Sequence, residues 1–223
     1  MKVKILSGWS NPGGSTLHHI YLTNLLNDNG IDCTFYGPHE WHLNKCNSAN
    51  FTDFREEKGD IVISHFCNVN AARLEYYGCK HILSCHETNL FPLSQMDLSK
   101  YSLIQFVSEL QKDWHSVNHP HVIIPPVVDK IDWKDPKNNV AGIIGSVDNH
   151  KQTHLSIERA LKDGCDTVLI FGECRDIPYY DARISKFMGK GNVFLMSHEN
   201  NKKKMYNQVS KVYHSSLRET YGL

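Results

Sequence analysis

The sequence has no long apolar run, no paired-cysteine motif and no excess of either charge. Each absence removes a class of function. Lys and Arg number 24 and so do Asp and Glu, so no global field draws the chain to nucleic acid or anionic lipid. The longest apolar stretch, Val122–Val128, is broken by Pro125 and Pro126, and no segment reads as a membrane span. The opening residues, Met1 to Gly8, are too weakly apolar for a signal peptide. Seven cysteines, an odd number without a CxxC pair, indicate neither a disulfide framework nor a zinc ribbon. Reduced thiols and a cytoplasmic protein, at most peripheral to a membrane, are the expectation. Neither GxGxxG nor GxxxxGK[ST] occurs. His39-Glu40-Trp41-His42 is one residue short of HExxH, and His150 with His154 lacks a third ligand. There is no DxD pair to hold a cation against a diphosphate. No metal site and no resident cofactor are therefore expected. Lys202-Lys203-Lys204 reads as a solvated helix face.

What is present is an alternation of short apolar runs and helical stretches. The chain has 223 residues, 40% hydrophobic and 22% charged, with 14 histidines. It is long enough for two small domains, and it turns cationic below about pH 6.5. Strands are predicted at 3–6, 31–36, 60–65, 81–85, 103–107 and 121–124. A helix is predicted over 16–29, with Leu17, Ile20, Tyr21, Leu25 and Leu26 at helical spacing and Gly30 as its stop. Further helices fall at 70–77 and 109–117. The polar, proline-containing stretch 129–139 reads as a linker. A second series follows: strands at 140–144, 167–171, 192–196 and 211–214, helices at 151–162, 179–187 and 201–209. Strands alternating with helices imply α/β architecture with parallel sheets. The expected domains are residues 1–128 and 140–223, both Rossmann-like.

Ligands bind beyond the carboxyl ends of the strands in open parallel sheets, which singles out the loops there. Asn11–Thr16, with Gly13 and Gly14, joins the first strand to the first helix, where backbone amides and a helix N-terminus suit an anion. The plainer alternative is a turn with a Ser/Thr cap. Gly145-Ser146-Val147-Asp148-Asn149-His150-Lys151 opens the second domain. A lysine in a first helical turn opposes the helix dipole and becomes sensible beside a diphosphate; otherwise it is a solvated lysine. Ser84–Asn89 puts His86 after an apolar strand, able to orient or protonate a ligand. Cys85 beside it points to the opposite face. Ser215–Leu223 carries Glu219, a carboxylate suited to sugar or ribose hydroxyls.

Taken in order, these segments resemble the GT-B glycosyltransferases of the retaining "glycosyl transferases group 1" family. The series is the Gly13-Gly14 loop, the strand ending in His86-Glu87, Ile123–Asp129, Gly145…Lys151, Val168–Glu173, Gly191–Leu195 and Ser216–Leu223. The resemblance runs over nearly the whole chain and is most specific from Gly145 onward. It implies two Rossmann-like domains, with the acceptor on the first and a nucleotide-sugar donor mainly on the second. By position, Gly13, Gly14 and Lys151 resemble the groups around the donor diphosphate, with Gly145, Ser146 and Gly172 also donor-binding. Ser197 and His198 fall where the nucleobase is met. His86 and Glu219, with Lys151, are the implied catalytic residues. The implied reaction is sugar transfer with retained configuration, the leaving diphosphate being stabilised electrostatically. Two departures stand out. Ser146 occupies the position of a usual arginine, a loss of about 1.5–3 kcal/mol of transition-state binding, or one to two decades of rate. The sequence also stops four residues after Glu219, before a second glutamate. The second domain is therefore expected to be incomplete, with a homodimer or partner chain covering its exposed sheet edge. The alternative implied by both departures is a catalytically impaired nucleotide- or sugar-binding module. Sugar, base and acceptor are not named by the sequence.

Overall fold

The computed structural model describes residues 1–7, 14–37, 45–65, 78–86, 93–127, 130–134, 136, 138–189, 191–197, 199 and 201–217. They form two compact units, divided between Asp129 and Lys130.

The first unit is a seven-stranded, wholly parallel sheet. Its strands are β1 (Val3–Leu6), β2 (Cys33–Gly37), β3 (Ser48–Asn50), β4 (Ile61–His65), β5 (Lys80–Ser84), β6 (Leu103–Phe106) and β7 (His121–Ile123). Their order is β3-β2-β1-β4-β5-β6-β7. The chain reverses direction across the sheet between β1 and β4, where Ile5 pairs with Ile63, and such a switch point opens a crevice at the carboxyl ends. Val3, Ile5, Leu6, Val62, Leu83, Ile104 and Phe106 are buried, as expected of strands covered on both faces. The unexpected strand is β3. Ser48–Asn50 has no apolar alternation to betray it, and it pairs at the edge, Phe35 opposite Ser48.

Helix α1 (Gly14–Asp28) follows β1. The predicted apolar stripe is only part of its buried face: Ile20 is buried, and Leu17, Tyr21 and Leu26 are half-buried. Thr16, His18, His19, Ile20 and Thr23 are buried, and Leu25 is exposed. The N-terminal half lies over the polar switch point, while Leu22 and Leu26 further along pack on the sheet. Helix α2 (Glu109–His115) starts at Ser108, whose hydroxyl accepts the Gln111 N–H, an N-cap. The helix expected at 70–77 lies outside the described residues.

The second unit has four parallel strands: β8 (Val140–Ile144), β9 (Thr167–Phe171), β10 (Val193–Leu195) and β11 (Lys211–Val212), in the order β10-β9-β8-β11. Its core joins Ile143, Val147, Ile157, Val168, Ile170 and Ile184. Helix α3 (Thr153–Lys162) begins two residues later than predicted. Gln152 is left-handed (φ 50°), so Lys151 belongs to the preceding turn. The single helix expected at 179–187 is broken into a turn α4 (Ile177–Tyr179), a wide π turn (Tyr180–Ile184) and a 3-10 turn (Ser185–Phe187). Helix α5 (Lys202–Tyr206) is capped by the Asn201 side chain, which accepts the Lys204 N–H. The polar stretch after Lys130 is bonded to this unit. Trp133 Nε1 donates to Tyr206 O and Lys134 N to Asn207 Oδ1. No described helix is long and apolar enough to cross a membrane, and none of the six described cysteines forms a disulfide.

Candidate functional site

The carboxyl end of the second sheet gathers five of the expected donor-binding residues. Gly145 follows β8 with φ +131°, a backbone few side-chain-bearing residues adopt. Its carbonyl oxygen approaches Gly172, just past β9, so closely that a β-carbon on Gly172 would stand 1.8 Å from it. The Gly172 N–H donates to Ser197 O at 3.0 Å, and Ser197 itself is left-handed at φ 60°. Lys151 lies alongside: its Cε and Cδ pass 3.8 and 3.9 Å from where a β-carbon on Gly145 would be. The turn carrying it is held by Asp148, whose Oδ1 accepts the Lys151 N–H at 2.9 Å and whose Oδ2 accepts the Ser146 hydroxyl. Gly145, Ser146, Lys151, Gly172 and Ser197 thus come from three loops into one backbone-lined end. The Ser146 hydroxyl bonds within its own loop and brings no charge. Arg175 reaches the same loop from the segment after β9: its backbone N–H donates to Val147 O at 3.2 Å, and its side chain is paired with Glu173 at 3.3 Å. His198 and Glu219 lie outside the described residues. The last described residue, Leu217, donates its N–H to His150 O at 3.0 Å.

The switch point of the first sheet carries a different chemistry. Gly14 opens α1, and Gly13 lies outside the described residues. One turn into α1 stand His18 and His19. His65 ends β4, and His86 follows β5. Ring centres of His18, His19 and His86 are 5.1, 4.9 and 5.0 Å apart, and His65 is 5.4 Å from His86. Ser84, the last residue of β5, ties them together. Its hydroxyl donates to Gln105 Oε1 (3.1 Å) and lies 3.0 Å from Nε2 of both His19 and His86. Gln105 Nε2 donates to Ile124 O at 3.4 Å. A carbonyl oxygen only accepts, so the serine proton points to Gln105. Both imidazoles must therefore donate to Ser84 from Nε2–H, leaving Nδ1 as each ring's lone-pair nitrogen. His18 is the reverse: its Nδ1 accepts the Val127 N–H at 2.8 Å, so its proton is on Nε2.

The rings of His18, His19 and His86 are neutral at pH 7. Burial, aided by His65, lowers His18 to about 4. Burial and the neighbouring His86, His18 and His65 hold His19 well below the usual imidazole range. Burial, with His65 and His18, does the same for His86. Cys85 turns away from them: its sulfur lies 3.5 Å from His115 Nε2 and accepts from Gln111. The sequence singled out His86 and the structure places it in this cluster. It singled out none of His18, His19, His65, Ser84, Gln105 and Arg175; for the histidines the one signal was their number, 14.

No protein-family model and no curated protein matches the sequence. Solved structures do. HepE of Anabaena, in complex with UDP, is 12% identical over 98% of this chain and 75% of its own, with a TM-score of 0.67. The fold is GT-B. The pneumococcal O-GlcNAc transferase GtfA, in complex with UDP and GlcNAc, aligns over 100% of this chain and 80% of its own at 9% identity and TM-score 0.75. TarM aligns over 99% and 81% at 10% identity and TM-score 0.75. At such low identity what is shared is the fold. The α/β class and the two parallel sheets expected from the sequence are those of GT-B proteins.

Proposed function

We propose that this GT-B chain transfers a sugar from a nucleoside-diphosphate sugar to an acceptor, with retention of configuration. The observation that carries the reading is the convergence of Gly145, Ser146, Lys151, Gly172 and Ser197 on one sheet end, in a fold whose solved examples include complexes with UDP. Glycines 145 and 172 keep that end free of side chains, so backbone groups can reach a diphosphate. Lys151 supplies the cation. Arg175, one loop away, takes over the charge that Ser146 lacks, once its guanidinium exchanges Glu173 for a phosphate. The bond from Leu217 to His150 brings the chain to the Lys151 turn two residues before Glu219, which would bind the sugar hydroxyls; His86 keeps its expected catalytic role. Gly13, Gly14 and His198 keep their expected roles at the diphosphate and the base. Charge developing on the leaving diphosphate is met by these fixed groups, with no covalent nucleophile needed.

The alternative, a binding module without transfer, is favoured by Ser146, whose hydroxyl is committed to Asp148. Calorimetric titration of the chain with UDP, GDP, ADP and CMP decides whether a donor site exists, and donor-hydrolysis assays separate the two readings. Micromolar binding of one nucleotide is expected. Lys151→Ala should weaken the diphosphate more than the nucleoside; equal effects on both would remove the role of Lys151. No binding of any of the four removes the proposal.

A further inference from the structure

We propose that His18, His19 and His86 form a binding site for one zinc-class divalent ion in the first unit. The inference goes beyond sugar transfer and does not rest on it.

Three imidazoles on a tetrahedral ion have a fixed spacing. With a metal–nitrogen distance of about 2.0–2.1 Å and about 1.1 Å from nitrogen to ring centre, the centres stand about 5 Å apart. The three centres here are 5.1, 4.9 and 5.0 Å apart, with planes tilted at 59°, 51° and 76° rather than stacked. One nitrogen from each ring lies within 4.8 Å of the others. A bound ion needs about 3.4 Å between them, so binding requires the nitrogens to close by up to about 1.4 Å.

The hydrogen bonds support the same assignment. Metal-bound histidines donate their second N–H to an orienting group. Ser84 accepts from Nε2 of both His19 and His86, which leaves Nδ1 as the lone-pair nitrogen of each ring. His19 is fully buried, and its Nδ1 has no hydrogen-bond partner; neither has His18 Nε2. For His18 to bind through Nε2, its proton must shift from Nε2 to Nδ1, which replaces the bond that Nδ1 accepts from the Val127 N–H. His65 closes a further side, 5.4 and 5.7 Å from His86 and His19. Three imidazole nitrogens without a carboxylate suit Zn2+, Co2+, Ni2+ or Cu2+ and not Mg2+ or Ca2+.

The test is titration of the chelator-treated full chain with ZnCl2 at pH 7.5, with Co2+ absorption as the geometric probe. One equivalent at micromolar affinity or tighter, with the intense visible bands of tetrahedral cobalt, is expected. His19→Ala and His86→Ala should abolish it, and His150→Ala and His214→Ala, exposed in the second unit, should leave it intact. Ser84→Ala keeps all three rings and should weaken it about 10–100-fold, which serves if the histidine variants fail to fold by circular dichroism. Only weaker, multiple binding, or an equivalent that survives His19→Ala in folded protein, overturns the site. Nucleotide binding is read separately, so its failure would not touch this result.

Discussion

Acidification should destabilise the first unit well before its carboxylates titrate. His18, His19 and His86 have folded pKa values below the unfolded value near 6.5. Each therefore contributes stability that is fully present above about pH 6.5 and is lost as pH falls from there toward its folded pKa, about 4 for His18. Between pH 7.5 and 5.5 an unfolded histidine takes up its proton and a buried one does not, a difference of about 1.4 kcal/mol per ring. Three rings give about 4 kcal/mol, a large share of the 5–15 kcal/mol typical of a folded domain. His81, also lowered by burial although Glu56 faces it, acts in the same direction. The paired carboxylate does not interfere. Burial opposes the charge of Asp60, but its bonds to Lys4 and Lys2 outweigh that and hold it below its usual value, so its contribution falls only below about pH 4. The assay is urea unfolding at pH 7.5, 6.5 and 5.5, with a chelator present. Trp133→Phe leaves Trp9, Trp41 and Trp114, all before residue 130, so fluorescence then reports the first unit. A loss under about 1 kcal/mol across this range would refute the reading. His18→Gln, which keeps an acceptor for the Val127 N–H, should reduce the loss to about 3 kcal/mol; an unchanged loss would remove His18 from the account.

Other outcomes follow from single contacts. Gly172→Ala sets a β-carbon 1.8 Å from a backbone oxygen and should cost more than about 3 kcal/mol in thermal unfolding of the second unit. Gly164→Ala, with φ +76° but open space, should cost about 1 kcal/mol; equal costs would show that the contact relaxes freely. Lys4 is buried on β1 against Asp60 (2.9 Å) and Glu57 (3.0 Å). Lys4→Met strands the Asp60 charge and should cost about 3–5 kcal/mol, most of it recovered with Asp60→Asn; no recovery would mean that lost packing, not charge, is responsible. Both residues of β11 are exposed at the edge of the second sheet, and a second copy covering it would appear as a dimer by light scattering at high micromolar concentration. A monomer there removes that expectation.

The two sheet ends differ in how far the sequence reveals them, for a physical reason. The second unit's end is built from backbone. Glycine is needed where chains approach within a β-carbon's reach, as at Gly145 and Gly172, and such needs leave a residue-type mark at a fixed place after a strand. The parallel strands were legible on the same ground, since burial on both faces writes continuous apolar runs such as Ile61–Ile63. The first unit's cluster is built from side chains on α1, β4 and β5, brought together by the strand order. His18 and His19 sit where the helical pattern calls for core residues, and positions 18, 65 and 86 have no spacing in common. The β1–β4 and β4–β5 adjacencies join them, and adjacency in a parallel sheet is a property of crossovers that no local pattern records. Edge strand β3 was missed for a related reason: three residues paired on one side need no apolar face. The broken helix at 177–187 reflects the reverse, a helical pattern overruled where Asp176 caps Tyr179 and Tyr179 turns inward to bond His154 at 2.8 Å. Local rules therefore marked the end made of backbone, and topology assembled the end made of imidazoles. The acid and metal titrations bear on the second, where sequence alone offered only His86.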